Sequence, residues 1–171
     1  MTAVVPRALR DDEREWLAQH LRLAWGSSTI VSRGRARDAS ALPAIVCTQG
    51  EELLGLATYE IEAGECELVT IEAFRTREGV GSALLGAVIG FAREHACTRV
   101  LLVTTNDNTA AQRFYERRGF RLLTVHAGAV DAARLIKPEI PLRGEGGVEI
   151  HDELEYELRL TQRASNLARP A

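Results

Sequence analysis

The sequence has few cysteines, no long apolar run and little net charge, and each shortage excludes a class of protein. Its 3 cysteines among 171 residues are odd in number and lack metal-ligand spacing, so we expect buried free thiols rather than disulfides or a metal site. Free thiols favour a cytoplasmic location. The longest apolar run, residues 83–92, is too short to cross a bilayer, and no signal-peptide pattern begins the chain. We therefore expect no membrane role.

Length and charge point to a single ordinary globular domain. A net charge of −3 argues against general nucleic-acid binding and is compatible with a cationic substrate. A hydrophobic content of 46% and a charged content of 26% are typical of a globular protein. The sequence contains no internal repeat or low-complexity block. We predict one domain over residues 1–160 and a mobile tail over residues 161–171, where apolar residues are few.

The clearest pattern lies between Glu67 and Phe120, where two strand–helix pairs follow one another. Apolar residues at helical spacing over residues 80–92 predict a helix lying on a sheet. The run VLLVTT over residues 100–105 predicts a buried strand, parallel to the first because a long helix separates the two. Asn108 suits the N-cap of a second helix. The stretch therefore predicts a βαβα unit.

Two glycines mark a candidate anion site where the first strand turns into its helix. Gly79 and Gly81 let backbone amides approach a ligand, and the helix dipole favours phosphate there. Arg75 and Arg77 add positive charge. Such glycines also serve tight helix–strand packing, so the pattern alone decides little. Neither the dinucleotide pattern nor the Gly-Lys-Ser/Thr loop of nucleoside triphosphate sites is present.

These motifs resemble those of the GNAT superfamily of acetyl-CoA-dependent N-acetyltransferases. In that family a Q/R-x-x-G-x-G/A turn holds the CoA pyrophosphate, and here residues 76–81 read TREGVG. The family motif N-x-x-A-x-x-x-Y-x-x-x-G-F is matched completely by residues 108–120. The turn departs from the family at Thr76, and Glu78 places a carboxylate beside the predicted phosphate site.

The resemblance implies both a fold and a set of partners. The fold would be a single-domain α/β fold with a mixed, mostly antiparallel sheet and a central parallel βαβ unit flanked by helices. The partners would be acetyl-CoA as co-substrate and an amine acceptor, without a metal. As in many members, a second copy of the chain could form a homodimer. The residues implied to bind acetyl-CoA are Ile71, Ala73, Arg75, Thr76, Arg77, Glu78, Gly79, Val80, Gly81, Ser82, Asn108 and Ala111.

The resemblance also implies direct acetyl transfer to a primary amine of a small molecule or a protein, which needs an acid and a base. Tyr115 matches the family's tyrosine and would protonate the departing thiolate, since a phenol with a pKa of about 10 is not ionised at neutral pH; its spacing alone also suits a core position. A backbone N–H near Ile71 or Glu72 would polarise the acetyl carbonyl. For the base, Glu72 is the first candidate and Glu67 the second, because strand alternation predicts opposite faces.

Other carboxylates and one imidazole are further candidates for the base, although each can equally be a solvated charge. They are Glu60, His151, Asp152 and Glu153. A non-catalytic acyl-CoA sensor or scaffold is the alternative function, which the departures at Thr76 and Glu78 keep open. Transfer to oxygen, or of a longer acyl chain, is a third.

The remaining elements are predicted from alternation, caps and turns. Strands are predicted at residues 4–9, 44–48, 53–61, 66–71, 121–126 and 153–160, and helices at residues 11–25 and 130–137. Residues 26–43 are predicted as an extended loop with a short helix over residues 38–42. Residues 137–153 are predicted as a binding lid. These two segments would form the walls of the acceptor pocket, and they carry too little pattern to identify the acceptor.

Overall fold

The computed structural model describes residues 4–75 and 78–161. Thr76 and Arg77, both predicted to contact acetyl-CoA, lie outside the described residues, as does the predicted tail beyond Thr161. In chain order the elements are β1 (Val5–Ala8), α1 (Arg14–Trp25), β2 (Thr29–Ser32), β3 (Arg35–Asp38), β4 (Ala44–Gln49), β5 (Glu52–Glu62), β6 (Glu65–Ala73), α2 (Val80–Glu94), β7 (Arg99–Thr105), α3 (Thr109–Glu116), β8 (Arg121–His126), α4 (Ala129–Ala133) and β9 (Glu153–Arg159).

Seven of these strands form one mixed sheet in the order β1-β4-β5-β6-β7-β9-β8. Neighbouring strands are antiparallel except for β6 and β7, which are parallel and joined through α2. The predicted mixed sheet with a central parallel βαβ unit is therefore confirmed. The parallel pairing of β6 with β7 runs from Glu65 to Leu68, whereas β7 pairs with β9 from Arg99 to Thr105. The carboxyl halves of β6 and β7 consequently diverge.

Helices cover both faces of the sheet. On one face, α2 buries Val80, Leu84, Leu85, Val88 and Ala92, the stripe that its periodicity predicts. On the other face, Leu17 and Leu21 of α1 pack with Ile30 of β2 against Val46 and Leu56. We call these the α2 side and the α1 side of the sheet. All three cysteines are free and buried, as predicted, and within the described residues no helix is long and apolar enough to cross a membrane.

A β-bulge in β6 changes which side chains share a face. Thr58 pairs with Thr70 but Tyr59 pairs with Leu68, so Val69 is an extra residue. Glu67 hydrogen-bonds Ser32 of β2 and Glu72 hydrogen-bonds His20 of α1. Both carboxylates therefore lie on the α1 side. The prediction that they occupy opposite faces was wrong, because alternation holds only in an uninterrupted strand.

The segment between α1 and β4 also differs from its prediction. In place of an extended loop and a short helix over residues 38–42, β2 and β3 form a separate two-stranded sheet. Arg33 and Gly34 have φ values of 53° and 70°, which suit a tight hairpin turn. Packing of Ile30 against α1 supports strands too short to show a clear alternation. The predicted helix over residues 130–137 is likewise shorter, ending at Ala133.

Candidate active site

A cavity of about 840 Å³ passes through the sheet where β6 and β7 diverge. On the α2 side it is lined by Gly81, Asn108, Ala111, Phe114 and Tyr115. On the α1 side it is lined by residues of α1, β2 and the segment over residues 137–153. Because the β6 bulge and the short parallel pairing open the sheet at this point, one cavity reaches both faces.

Several predicted site residues meet in this cavity. Those that line it are Glu67, Ile71, Ala73, Gly81, Asn108, Ala111 and Tyr115. Other predicted residues do not line it. Glu72 bonds His20, Arg75 forms an ion pair with Glu52, Val80 is in the core, and Glu78 is exposed.

The first turn of α2 supplies backbone donors at the α2 side. Gly79 caps the helix in the left-handed conformation, with φ 79°, and Ala83 makes the first intrahelical bond to Gly79 O. The amides of Val80, Gly81 and Ser82 precede that bond, so they are free of intrahelical partners. A Cβ on Gly81 would lie 3.4 Å from the Phe114 ring. The turn can therefore receive an anion but has little room for a side chain.

Arg118 links α3 to the first turn of α2. This arginine was not among the site residues predicted from the sequence. Its guanidinium lies 3.6 Å above the Phe114 ring, donates to Phe114 O at 2.8 Å, and also donates to Ser82 Oγ. The signal available in the sequence was its i, i+4 spacing from Phe114. Arg118 thus places a positive charge beside the free amides of α2.

Tyr115 is held rigidly in the wall of the cavity. It is 6% exposed, and its ring centroid lies 5.2 Å from that of Phe114 and 5.8 Å from that of Phe120. Burial raises the pKa of Tyr115 to about 12. The phenol therefore carries its proton at neutral pH. Asn108 lines the same wall and, as predicted, caps α3 by accepting a hydrogen bond from the Ala111 amide at 3.1 Å.

The cavity carboxylates differ in their partners. Glu67 is buried and accepts hydrogen bonds from Arg37 Nη2 at 2.6 Å and from Arg33 Nη1 at 3.3 Å. Glu153 is 3% exposed and accepts one from the backbone N–H of Arg33 at 2.9 Å. Burial raises the pKa of the Glu153 carboxyl, partly offset by that hydrogen bond. Among the described residues, no guanidinium lies within ion-pair distance of Glu153, which lines the cavity.

The other predicted bases lie away from the cavity. Glu60 Oε2 is 2.8 Å from Arg37 Nε, a charge contact whose geometry falls short of a hydrogen bond. His151 is exposed, and hydrogen bonds to Asp131 and Glu149 raise its pKa. Asp152 accepts from the Gly128 amide at 2.9 Å.

Residues 137–152, here called the lid segment, are anchored at two points. Asn106 donates to Glu149 O at 2.8 Å and accepts from the amides of His151 and Asp152. Arg134 donates to the backbone oxygens of Ile140, Pro141 and Ile150. The segment lines the cavity through Lys137, Glu139, Ile140, Pro141 and Ile150. Ligand binding by this segment stays a prediction.

We expect Arg37→Met to destabilise the protein strongly, because it removes the main partner of the buried Glu67 carboxylate. Breaking a buried ion pair costs about 3 kcal/mol, or roughly 6–12 °C in Tm for a chain of this size. The double variant with Glu67→Gln should recover much of the loss, since the unpaired charge is gone. Thermal unfolding followed by circular dichroism measures both. An unchanged Tm in the single variant would show that Arg33 alone compensates the charge of Glu67.

Comparison with known proteins agrees with this architecture. Residues 6–120 match the acetyltransferase (GNAT) family. The uncharacterized protein YdhI of Bacillus subtilis (strain 168) is 35% identical over 145 residues, which cover 83% of this chain and 87% of YdhI.

Two solved structures share the fold. The IAA acetyltransferase from Bacillus cereus ATCC 14579 superposes with a TM-score of 0.69 at 18% identity, covering 92% of this chain and 100% of the other. A GNAT family acetyltransferase from Elizabethkingia anophelis with acetyl-CoA bound has a TM-score of 0.64 at 17% identity, covering 92% and 98%. The family match and the identity to YdhI together establish that this chain belongs to the GNAT acetyltransferase family.

Proposed function

We propose that this protein transfers an acetyl group from acetyl-CoA directly to a primary amine. One observation carries the proposal: a single cavity joins the free amides of α2 and Tyr115 on one side of the sheet to the carboxylates Glu67 and Glu153 on the other. A thioester entering from the α2 side and an amine entering from the α1 side would meet between β6 and β7. Each side supplies the chemistry that its reactant needs.

The α2 side suits the CoA portion of the donor. The first-turn amides and the dipole of α2 would hold the pyrophosphate, with Arg118 adding positive charge. Asn108 and the diverging strands would hold the pantetheine arm. A backbone N–H near Ile71, beyond the parallel ladder, would donate to the thioester carbonyl and stabilise the developing oxyanion.

Tyr115 would act as the general acid and Glu153 as the general base. The amine nitrogen attacks the acetyl carbon, so a C–N bond forms and the C–S bond breaks. Glu153 accepts the proton that the ammonium must lose, and a raised pKa brings a carboxylate closer to the operating pH, which favours proton transfer. Tyr115 donates its proton to the departing thiolate and regains one as the new amide nitrogen loses its second proton. The proton held by Glu153 passes to solvent, and the products are an amide and CoA. Glu153 replaces Glu72 and Glu67 as the preferred base. Among the described residues, it alone of the three lines the cavity without a hydrogen bond or ion pair to another side chain.

The variant Glu153→Gln tests this assignment. We expect kcat/KM to fall by about a hundredfold, the usual contribution of a general base, with acetyl-CoA affinity retained. Release of CoA thiol, followed with a thiol reagent over a panel of primary amines, gives the rates. Glu94→Gln, the same change at an exposed position in α2, is the matched control. A larger loss of kcat/KM in Glu72→Gln than in Glu153→Gln would assign the role of base to Glu72 of β6 instead.

The alternative is a non-catalytic acyl-CoA sensor or scaffold. The same assay separates the two functions, because turnover with any amine removes the binding-only alternative. Acetyl-CoA binding without turnover across the panel would favour the sensor. A homodimer and a cytoplasmic location stay predictions from the sequence.

A further inference from the structure

The α1 side of the cavity contains a buried ammonium, that of Lys137, for which the described residues supply no ion-pair partner. Lys137 is the only lysine in the sequence, is 6% exposed and lines the cavity. Its ammonium donates to the backbone oxygen of Thr29 at 2.8 Å. Within residues 4–75 and 78–161, no carboxylate oxygen lies within ion-pair distance of it. Burial lowers the pKa of Lys137, with Glu139 acting weakly in the opposite direction.

Burying this ammonium costs folding free energy unless a bound ligand supplies the opposite charge. A buried charge normally has a partner, and the neighbouring buried guanidinium of Arg37 follows that rule by pairing with Glu67. An ammonium has three donors, and one of them is used by Thr29. The other two are available to an anion in the cavity.

The same side of the cavity contains a buried carboxylate, that of Glu153. Glu153 is buried and lines the cavity, and the hydrogen bond that the described residues give its carboxylate comes from the backbone N–H of Arg33. In the described part of the chain it forms no ion pair with Lys137. The acceptor side therefore presents a buried carboxylate and a buried ammonium that are not paired with each other. Of the other acidic residues that line this side of the cavity, Glu67 is paired with Arg37 and Glu139 is exposed. The complementary ligand has an amine at one end and an anionic group at the other.

We propose that the acceptor is a small primary amine that also carries an anionic group, a carboxylate or a phosphate, with its amine at Glu153 and its anion at Lys137. This proposal rests on the acetyl transfer proposed above. Both charged residues line the same cavity, which the anchored lid segment bounds on the α1 side. An alkylamine without an anionic group would leave Lys137 without a partner.

A matched set of acceptors tests the inference. The probes are ω-amino acids of two to six carbons, aminoalkyl phosphates, and alkylamines of the same lengths. We expect the best anionic amine to exceed its alkylamine in kcat/KM by about tenfold or more, as charged hydrogen bonds predict. In Lys137→Met, the ratio of kcat/KM for the anionic amine to kcat/KM for its alkylamine should fall towards one. Arg143→Met is the control, since Arg143 is an exposed cation of the same lid segment, and it should keep the wild-type ratio.

A second readout separates this inference from the proposed reaction. Titration calorimetry of the same amines into CoA-saturated protein measures acceptor binding without chemistry. Lys137-dependent binding of anionic amines, with no acetyl transfer to any of them, would refute the reaction and support the acceptor class. Equal rates for alkylamines and anionic amines, or a preference that survives in Lys137→Met, would overturn the acceptor class and leave the reaction standing. No binding and no turnover would overturn both. The preferred anion identifies the source as carboxylate or phosphate.

Discussion

The Tyr115→Phe variant should bind acetyl-CoA like the wild type but turn over on the order of a hundredfold more slowly. The substitution removes the proton donor and leaves the ring, which packs against Phe114 and Phe120. Because burial raises the pKa of Tyr115 to about 12, the phenol is protonated throughout the neutral range and can supply a proton to the thiolate. Stopped-time measurement of kcat with saturating acetyl-CoA gives the effect.

Tyr59 offers a matched control for this experiment. It is another buried tyrosine, 9% exposed and stacked on Phe91 at 5.9 Å, and burial raises its pKa as well. It lies outside the cavity lining. Tyr59→Phe should therefore keep wild-type kcat. Wild-type turnover in Tyr115→Phe would remove Tyr115 as the acid and assign the proton to solvent.

The Gly81→Glu variant should lose measurable acetyl-CoA binding. Its side chain would start 3.4 Å from the Phe114 ring, and its carboxylate would stand where the α2 amides are proposed to hold phosphate. Titration calorimetry with acetyl-CoA, for which we expect micromolar affinity in the wild type, measures the loss. A thermal shift gives a second readout, since ligand at a hundred times Kd stabilises the folded state by about 2.7 kcal/mol.

Gly86→Glu provides the control on the same helix. A Cβ at Gly86 meets no atom within 4 Å, and the position is exposed. It should bind acetyl-CoA like the wild type. Retained binding in Gly81→Glu would move the pyrophosphate away from this turn. No binding by the wild type would show that Thr76 and Glu78 weaken the site, and the scaffold alternative would then be preferred.

The βαβα unit was predictable from sequence because its signals are local. The apolar spacing of α2, the glycine at its N-cap and the asparagine at the N-cap of α3 each depend on a few neighbouring residues. The complete motif over residues 108–120 singled out Tyr115, which lines the cavity; its role as the acid stays a prediction.

The choice of base was not predictable in the same way. The β6 bulge at Val69 arises from pairing with β5, and strand alternation read from β6 alone misplaced Glu67 and Glu72. The β2–β3 hairpin was missed for a similar reason, because its strands depend on Ile30 packing against α1. Arg33 and Arg37, which compensate the charge of Glu67, come from that hairpin.

By itself the sequence determined the order of strands and helices in the βαβα unit, the glycine turn before α2 and the position of Tyr115 on α3, since each follows from propensity, caps and spacing over short distances. The tertiary structure decided which charged groups face the cavity and which are neutralised. Thr29, Arg33, Lys137 and Glu153 come together only when β2, the lid segment and β9 pack around the gap between β6 and β7. Desolvation and ion pairing depend on that packing, because the cost of a buried charge is set by the atoms around it and not by its neighbours in the chain.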